Sequence, residues 1–148
     1  MKSAELILST WYERERESLE VLNLLLNLEI LSAEAKGQLE GIKEEDQRHT
    51  SFLKERARQI GLDLKTAETK KDSLIKELKE ALNDISEAEK LKFLTKTLRK
   101  LKKDKKRLFQ KYLVLKTGDS LTFELLERIN LSEISHLLKL EALEVKES

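Results

Sequence analysis

Apolar residues recur at steps of three and four along most of the chain, which is the spacing of one face of an α-helix. A first helix is predicted from about Ala4 to Leu31. The stretch from Leu22 to Leu31 is apolar on nearly every side, so we expect two or more other helices to cover it. The predicted inward stripe consists of Leu8, Trp11, Glu15, Leu19, Leu22 and Leu26.

A second helical pattern runs from Ala33 to Ile60. Ser32 is either the N-cap of a separate helix or a residue within one unbroken helix over 4–60, since neither glycine nor proline enforces a turn there. Gly61 followed by Leu62 is typical of a glycine C-cap with its hydrophobic contact.

Helical patterns in the second half of the chain begin at capping boxes. One near Thr69 predicts a short helix to about residue 82, and Ser86 begins a long helix over 87–116. The apolar seam of the long helix contains one lysine, Lys105, and we expect its replacement by leucine to be stabilising. Two shorter helices are predicted over 121–129 and 133–145, the second of them capped by Ser132.

These patterns predict a single all-α domain over 1–148, built as elongated antiparallel helical hairpins or a helical bundle with coiled-coil character. The composition agrees, because the chain has no proline, four glycines and 39% charged residues, as long helices with wide solvent-facing sides would have. The absence of cysteine excludes disulfides, cysteine-based zinc sites and a thiol nucleophile. The first residues fit neither a signal peptide nor a membrane span, so we expect a cytoplasmic location.

Both histidines follow an acidic residue by three positions, as Asp46 and His49 and as Glu133 and His136. In ferritin-like di-iron bundles, a Glu-x-x-His on each of two helices supplies part of the ligands, and a Glu from each of the other two helices supplies the rest. Glu15 is a candidate for one of those. A ferritin-like metalloprotein with these five residues as ligands is therefore an alternative.

The spacing of the last helix opposes that alternative. Ile134 and Leu138 share one face at 100° per residue, and Glu133 and His136 point away from that face. The long seam offers no carboxylate, and Lys105 on it would repel metal ions. We therefore expect no metal, no cofactor and no catalytic residue, with an enzyme improbable and Asp46 and His49 forming a buried polar pair.

The C-terminal region has more large apolar residues than two short helices can bury on one face. Two interpretations stay open: these residues bind a partner helix, or they fold back onto the first helix. The candidate partner-binding residues are Leu121, Phe123, Leu125, Leu126, Ile129, Ile134, Leu137 and Leu138.

Four segments carry a resemblance to a known family. They are the run from Tyr12 to Glu15 with Leu19 and Leu22, the run from Arg56 to Asp63, the run from Leu74 to Leu78, and Ser120-Leu121-Thr122-Phe123 followed by further leucines. In order and length the chain resembles the FlgN family of flagellar export chaperones over residues 5–130. The resemblance implies a cytoplasmic chaperone, with an amphipathic helix of a hook-filament junction protein as its partner. Departures from the family pattern are the lysine-rich long helix and the missing Gly/Ser-rich tail.

A further alternative is a structural coiled-coil or nucleic-acid-binding subunit. It rests on the basic run from Lys90 to Lys111, which is interrupted by a single acid, Asp104, and could track phosphates. The solvent-facing sides of a seam helix explain the same lysines more simply. An oligomer remains possible.

Overall fold

The computed structural model describes residues 3–64, 74–115 and 120–147, and within these ranges all regular structure is helical. The elements are α1 (Ser3–Leu26), α2 (Ala33–Gln59), a short helix α3 that is described over 74–81, α4 (Glu87–Leu115) and α5 (Ser120–Glu147). The all-α prediction is confirmed. The predicted start of the short helix near Thr69 lies outside the described residues.

The helix ends follow the predicted capping chemistry. Ser32 has an extended backbone and its Oγ accepts from the Ala35 amide at 3.1 Å, so α2 is a separate helix and not the continuation of one helix over 4–60. α1 ends at Leu26, five residues before the predicted Leu31, because 27–31 form the turn. At the end of α2, Gly61 has a φ of 75° and the Leu62 amide bonds to the Ala57 carbonyl at 2.8 Å, as in a Schellman motif.

The two short C-terminal helices that we predicted are in fact one continuous helix, α5. No glycine or proline interrupts the chain from 120 to 147. Ser132 does not cap a helix, because its hydroxyl donates to Glu45 Oε2 on α2 at 2.7 Å. The predicted seam of α4 is largely correct, since Leu94, Leu98 and Tyr112 are fully buried.

Two apolar clusters stand at opposite ends of the four long helices. The Trp11 cluster joins the start of α1 to the end of α2, the end of α4 and the start of α5, through Trp11, Leu53, Tyr112 and Leu126. The Leu22 cluster joins the opposite ends of the same helices through Leu22, Leu39, Leu94 and Leu140, and α3 packs on it through Leu78. α1 and α5 therefore run in one direction, and α2 and α4 run in the other.

This connectivity has one long crossover. α2 ends at the Trp11 cluster and α4 begins at the Leu22 cluster, so these two helices are parallel and the segment between them joins opposite ends of the bundle. α1 packs against α2 and α4, and α5 packs against α4 and α2, so every neighbouring pair is antiparallel. Up-down-down-up order with a single crossover is the arrangement of ferritin-like bundles.

Candidate functional site: a buried ion cluster

A layer of charged and polar side chains separates the two apolar clusters. Each long helix contributes to it between its buried apolar positions, and on α2, α4 and α5 two contributing residues lie three positions apart, on one face of the helix. We call this layer the central ion cluster. Its members, all buried, are Glu15 from α1, Asp46 and His49 from α2, Lys102 and Lys105 from α4, and Glu133 and His136 from α5.

Lys102 stands at the centre of half of this cluster. Its Nζ donates to both oxygens of Asp46, at 3.1 and 2.8 Å, and to Glu133 Oε2 at 2.7 Å. The fourth contact is His136 Nδ1 at 2.9 Å. The side chains of Lys102, Asp46 and Glu133 have no exposed surface, so the contacts replace water that burial has removed.

Lys105 has the same role in the other half. Its Nζ donates to Glu15 Oε1 and lies 3.1 Å from Glu133 Oε1. Glu133 therefore bridges the two lysines, with one carboxylate oxygen on each. Burial alone would lower the pKa of Lys105, but Glu133, Glu15 and Asp46 outweigh it and raise that pKa above its ordinary value. The ammonium form is therefore retained in the interior.

His49 is a third cation of the cluster. Its Nδ1 lies 3.2 Å from Glu15 Oε2 and 3.2 Å from Glu133 Oε1, with Asp46 Oδ1 at 3.5 Å. Burial alone would lower the pKa of His49, but these hydrogen bonds outweigh it and raise the pKa to about 11. The two ammonium groups and this imidazolium stand opposite three carboxylates, so the cluster compensates its own charge.

The pKa values of Glu15 and Glu133 are shifted in opposite directions within the cluster. Burial, helped by the charge of Glu133, raises the pKa of Glu15 to about 7 although Lys105 opposes the rise. Burial would also raise the pKa of Glu133, but Lys102 and Lys105 outweigh it and hold that pKa well below its ordinary value. The bridging carboxylate is therefore the anion that the two lysines share.

A polar branch connects the cluster to the surface between α2 and α5. His136 accepts from Lys102 at Nδ1, so its Nε2 carries a proton and donates to Glu45 Oε2 at 2.9 Å. Ser132 donates to the same oxygen, and the Glu45 side chain is 31% exposed. The His136 and His49 rings are inclined at 27° to one another, with centroids 6.1 Å apart. The orientation of both imidazoles is therefore set from within the bundle.

Glu15, Asp46, His49 and Glu133 each place one possible ligand atom within 4.8 Å of the others. Oxygen and imidazole nitrogen donors of this kind suit first-row divalent metals. The side chains from α4 are lysines, however, and Lys102 Nζ already takes both oxygens of Asp46 and one of Glu133. A lysine ammonium donates hydrogen bonds and cannot bind a metal. The residues present therefore do not fit a pair of metal ions.

Our placement of Glu133 and His136 away from the buried face was wrong, because both are fully buried. We had used Ile134 and Leu138 to define that face, but Ile134 is half-buried and Leu138 is 64% exposed. Charged and polar residues set the register of α5 as much as leucines do. The five residues of the ferritin-like alternative therefore do meet at one site.

Lys102 was absent from our sequence interpretation. Lysine is almost never fully buried unless it is paired, so it was assigned to the solvent-facing side of α4. A signal was available, since Lys102 lies four residues after Leu98 and three before Lys105, on the buried face. The burial of Lys105, by contrast, agrees with its predicted seam position.

The eight proposed partner-binding residues do not form one surface. Leu126 and Ile129 are buried in the Trp11 cluster, and Phe123 and Leu125 pack against it. Ile134 and Leu137 are half-buried, whereas Leu121 and Leu138 are exposed. α5 therefore packs into the core, chiefly against α4 and α2 and not against the first helix as the second interpretation held, and only isolated side chains of the set face solvent.

A groove of about 610 Å³ lies between the first half of α4 and the end of α5. Leu91, Thr95 and Leu143 contribute to its lining together with the cations Lys92, Lys96 and Arg99. Lys92 and Lys96 are exposed, and Arg99 pairs with Glu144 on α5 at 2.6 Å. The groove thus combines an apolar lining with a basic edge.

Comparison with protein-family models, curated proteins and solved structures gave no significant match. Within the described ranges, no helix has both the length and the apolar character needed to cross a membrane.

Proposed function

We propose that this protein works by binding another helical protein and that its interior is not a redox centre. The observation that carries the choice is the pair of buried lysines. Lys102 and Lys105 satisfy the carboxylates that a di-metal centre would need, with Glu133 shared between them. The recognition chemistry then has to lie on the surface.

The groove between α4 and α5 is the surface best suited to a partner. Its lining includes the apolar side chains of Leu91 and Leu143 beside the cations of α4. The positive charges of Lys92 and Lys96 select against a basic partner. We therefore propose that the partner binds this groove with an amphipathic helix that has leucines on one face and acidic residues beside them.

The finer form of this proposal is an export chaperone for flagellar or type III secretion. Its support is the resemblance of residues 5–130 to the FlgN family, in which the client presents an amphipathic helix. A cytoplasmic location belongs to the same proposal.

The test uses two synthetic helical peptides that share the same leucine stripe, one flanked by glutamates and one by lysines. Fluorescence anisotropy should show binding of the acidic peptide, and exchanging Lys92 and Lys96 for glutamate should weaken it at least tenfold. The matched control exchanges Lys100 and Lys103, which are exposed on α4 and absent from the groove lining. Equal affinity of the two double variants would refute the groove as the binding site.

A ferritin-like di-iron protein is the second candidate. The bundle connectivity favours it, as does the meeting of Glu15, Asp46, His49, Glu133 and His136 in one layer. It requires the protein to bind metal while both lysines are present. Equilibrium dialysis of the unmodified protein against Co²⁺ measures this directly.

A further inference from the structure

The contacts of Lys102 have the pattern of a metal coordination sphere. Asp46 meets the ammonium with both oxygens, Glu133 with one oxygen and His136 with a ring nitrogen. In metal sites, a ligating histidine usually donates its other ring N–H to a carboxylate. His136 does this here, because its Nε2 lies 2.9 Å from Glu45 Oε2.

Lys105 stands in the position of a second metal ion. It contacts Glu15 on one side and Glu133 Oε1 on the other, while Glu133 Oε2 contacts Lys102. A carboxylate that holds one cation on each oxygen is in the position of a bridging ligand between two metals. In di-metal bundles two of the four helices supply a single carboxylate each, as α1 does here with Glu15. In this chain α4 occupies the place of the second such helix, and it supplies the two cations.

We propose that Lys102 and Lys105 are built-in replacements for two metal ions, and that the five surrounding side chains form a latent site for first-row divalent cations. The site is closed to metals by the ammonium groups and opens when both are removed. The ligands are Glu15, Asp46, His49, Glu133 and His136, and their oxygen and imidazole donors suit Mn²⁺, Fe²⁺, Co²⁺ and Zn²⁺.

The charges explain why the lysines exclude metal. An ammonium uses three donors, and the Lys102 contacts to Asp46, Glu133 and His136 engage all of them. A metal ion would need the same lone pairs and would bring two further positive charges next to the ammonium. Without the two lysines, three carboxylates remain close together in the interior, a state that a divalent cation relieves.

The experiment compares Co²⁺ binding by the full chain and by the double variant Lys102→Met/Lys105→Met. The matched control is Lys103→Met/Lys106→Met, which removes two exposed lysines from the same helix. The double variant should bind at least one Co²⁺ per chain in equilibrium dialysis and show visible Co²⁺ absorption bands. With Co²⁺ about a hundredfold above the dissociation constant, its melting temperature should rise by roughly 5 to 10 °C.

The unmodified protein and the control should bind no stoichiometric Co²⁺ and show no such rise. Stoichiometric Co²⁺ in the unmodified protein would overturn the role of the lysines and would support the di-iron candidate. Equal binding by the double variant and the control would overturn the latent site.

The double variant lacks two buried cations and is less stable without metal, so it is also refolded from urea with and without Co²⁺. Recovery of helical circular dichroism only with Co²⁺ supports the proposal, and failure to recover in both conditions counts against it.

Discussion

Lys102 on α4 and Glu133 on α5 form an ion pair of 2.7 Å in which neither side chain has any exposed surface. The second oxygen of Glu133 lies 3.1 Å from Lys105, so a single carboxylate compensates two interior cations. Such groups carry a large desolvation cost that only close pairing offsets. The energetics of the bundle therefore depend on the whole cluster being present.

Replacing Lys105 by leucine should destabilise the protein, which reverses our expectation from its seam position. Lys105 pairs with Glu15 and Glu133, and the change leaves both carboxylates without this partner in the interior. Breaking one side of a buried ion pair costs about 3–5 kcal/mol. Urea denaturation should show this loss for Lys105→Leu and a change within about 0.5 kcal/mol for the exposed neighbour in Lys106→Leu. Equal stability of the two variants would contradict the ion pairing of Lys105.

His49 should make the protein less stable as the pH rises above neutrality. Its pKa rises from an ordinary 6.5 to about 11, because hydrogen bonds to Asp46, Glu133 and Glu15 outweigh burial. The folded state therefore holds this proton more tightly than the unfolded chain does. The resulting stability is complete below pH 6.5 and is lost between pH 6.5 and about 11, with a slope of about 1.4 kcal/mol per pH unit.

The measurement is the free energy of unfolding at a series of pH values from 7 to 10, for the unmodified protein and for His49→Gln. The variant should lose most of the slope. Glu15 has a pKa raised to about 7, so its own contribution is lost largely between pH 4.5 and 7, below this window. A slope that persists unchanged in His49→Gln would show that another group is responsible.

Two glycine substitutions should change stability in opposite directions. Gly61 has a φ of 75°, where a side chain is strained, so Gly61→Ala should destabilise the protein by about 1 kcal/mol. Gly37 lies inside α2 with nothing within 4 Å of an added Cβ, so Gly37→Ala should stabilise it by about 0.5–1 kcal/mol. Thermal melts of both variants test the pair, and a loss of stability in Gly37→Ala would be incompatible with the open surroundings of that glycine.

Removing residues 119–148 should unfold the protein. α5 supplies Leu126 and Leu140 to the two apolar clusters and Glu133 to the central ion cluster. The truncated chain should lose most of its helical circular dichroism and the native fluorescence of Trp11, which is fully buried in the full chain. As a matched control, Leu138→Ser changes an exposed residue of the same helix and should leave both signals unchanged. A truncated chain that keeps its helicity would show that α5 is dispensable.

The fold was largely predictable because local chemistry determines where these helices begin and end. Ser32 and Gly61 act at the ends of α2 as their residue types predict. The heptad spacing of α4 correctly placed Lys105 among buried leucines. These features depend on contacts within a few residues of one another, which the sequence alone displays.

The central ion cluster was predictable only in part, because each of its charged residues is buried only where an oppositely charged residue on another helix pairs with it. Glu15, Asp46 and His49 were recognised from their spacing, whereas Lys102 and Glu133 looked like solvent-facing charges. Each of those two is buried because the other pairs with it across two helices. The spacing of Lys102 from Leu98 and Lys105 indicates the face that it occupies, but no spacing within one helix identifies the partner on another helix, and the register of α5 was misjudged for the same reason.

The bridging position of Glu133 also fixes how far the helices can slide along one another. A slip of α5 by one turn would move its side chains by about 5.4 Å. Leucine contacts tolerate such a shift better, since one leucine can replace another in the Leu22 and Trp11 clusters. Glu133 would instead enter an apolar cluster and leave Lys102 and Lys105 without it. The central ion cluster thus fixes the axial register of the four leucine-rich helices, which their apolar contacts alone would leave less well determined.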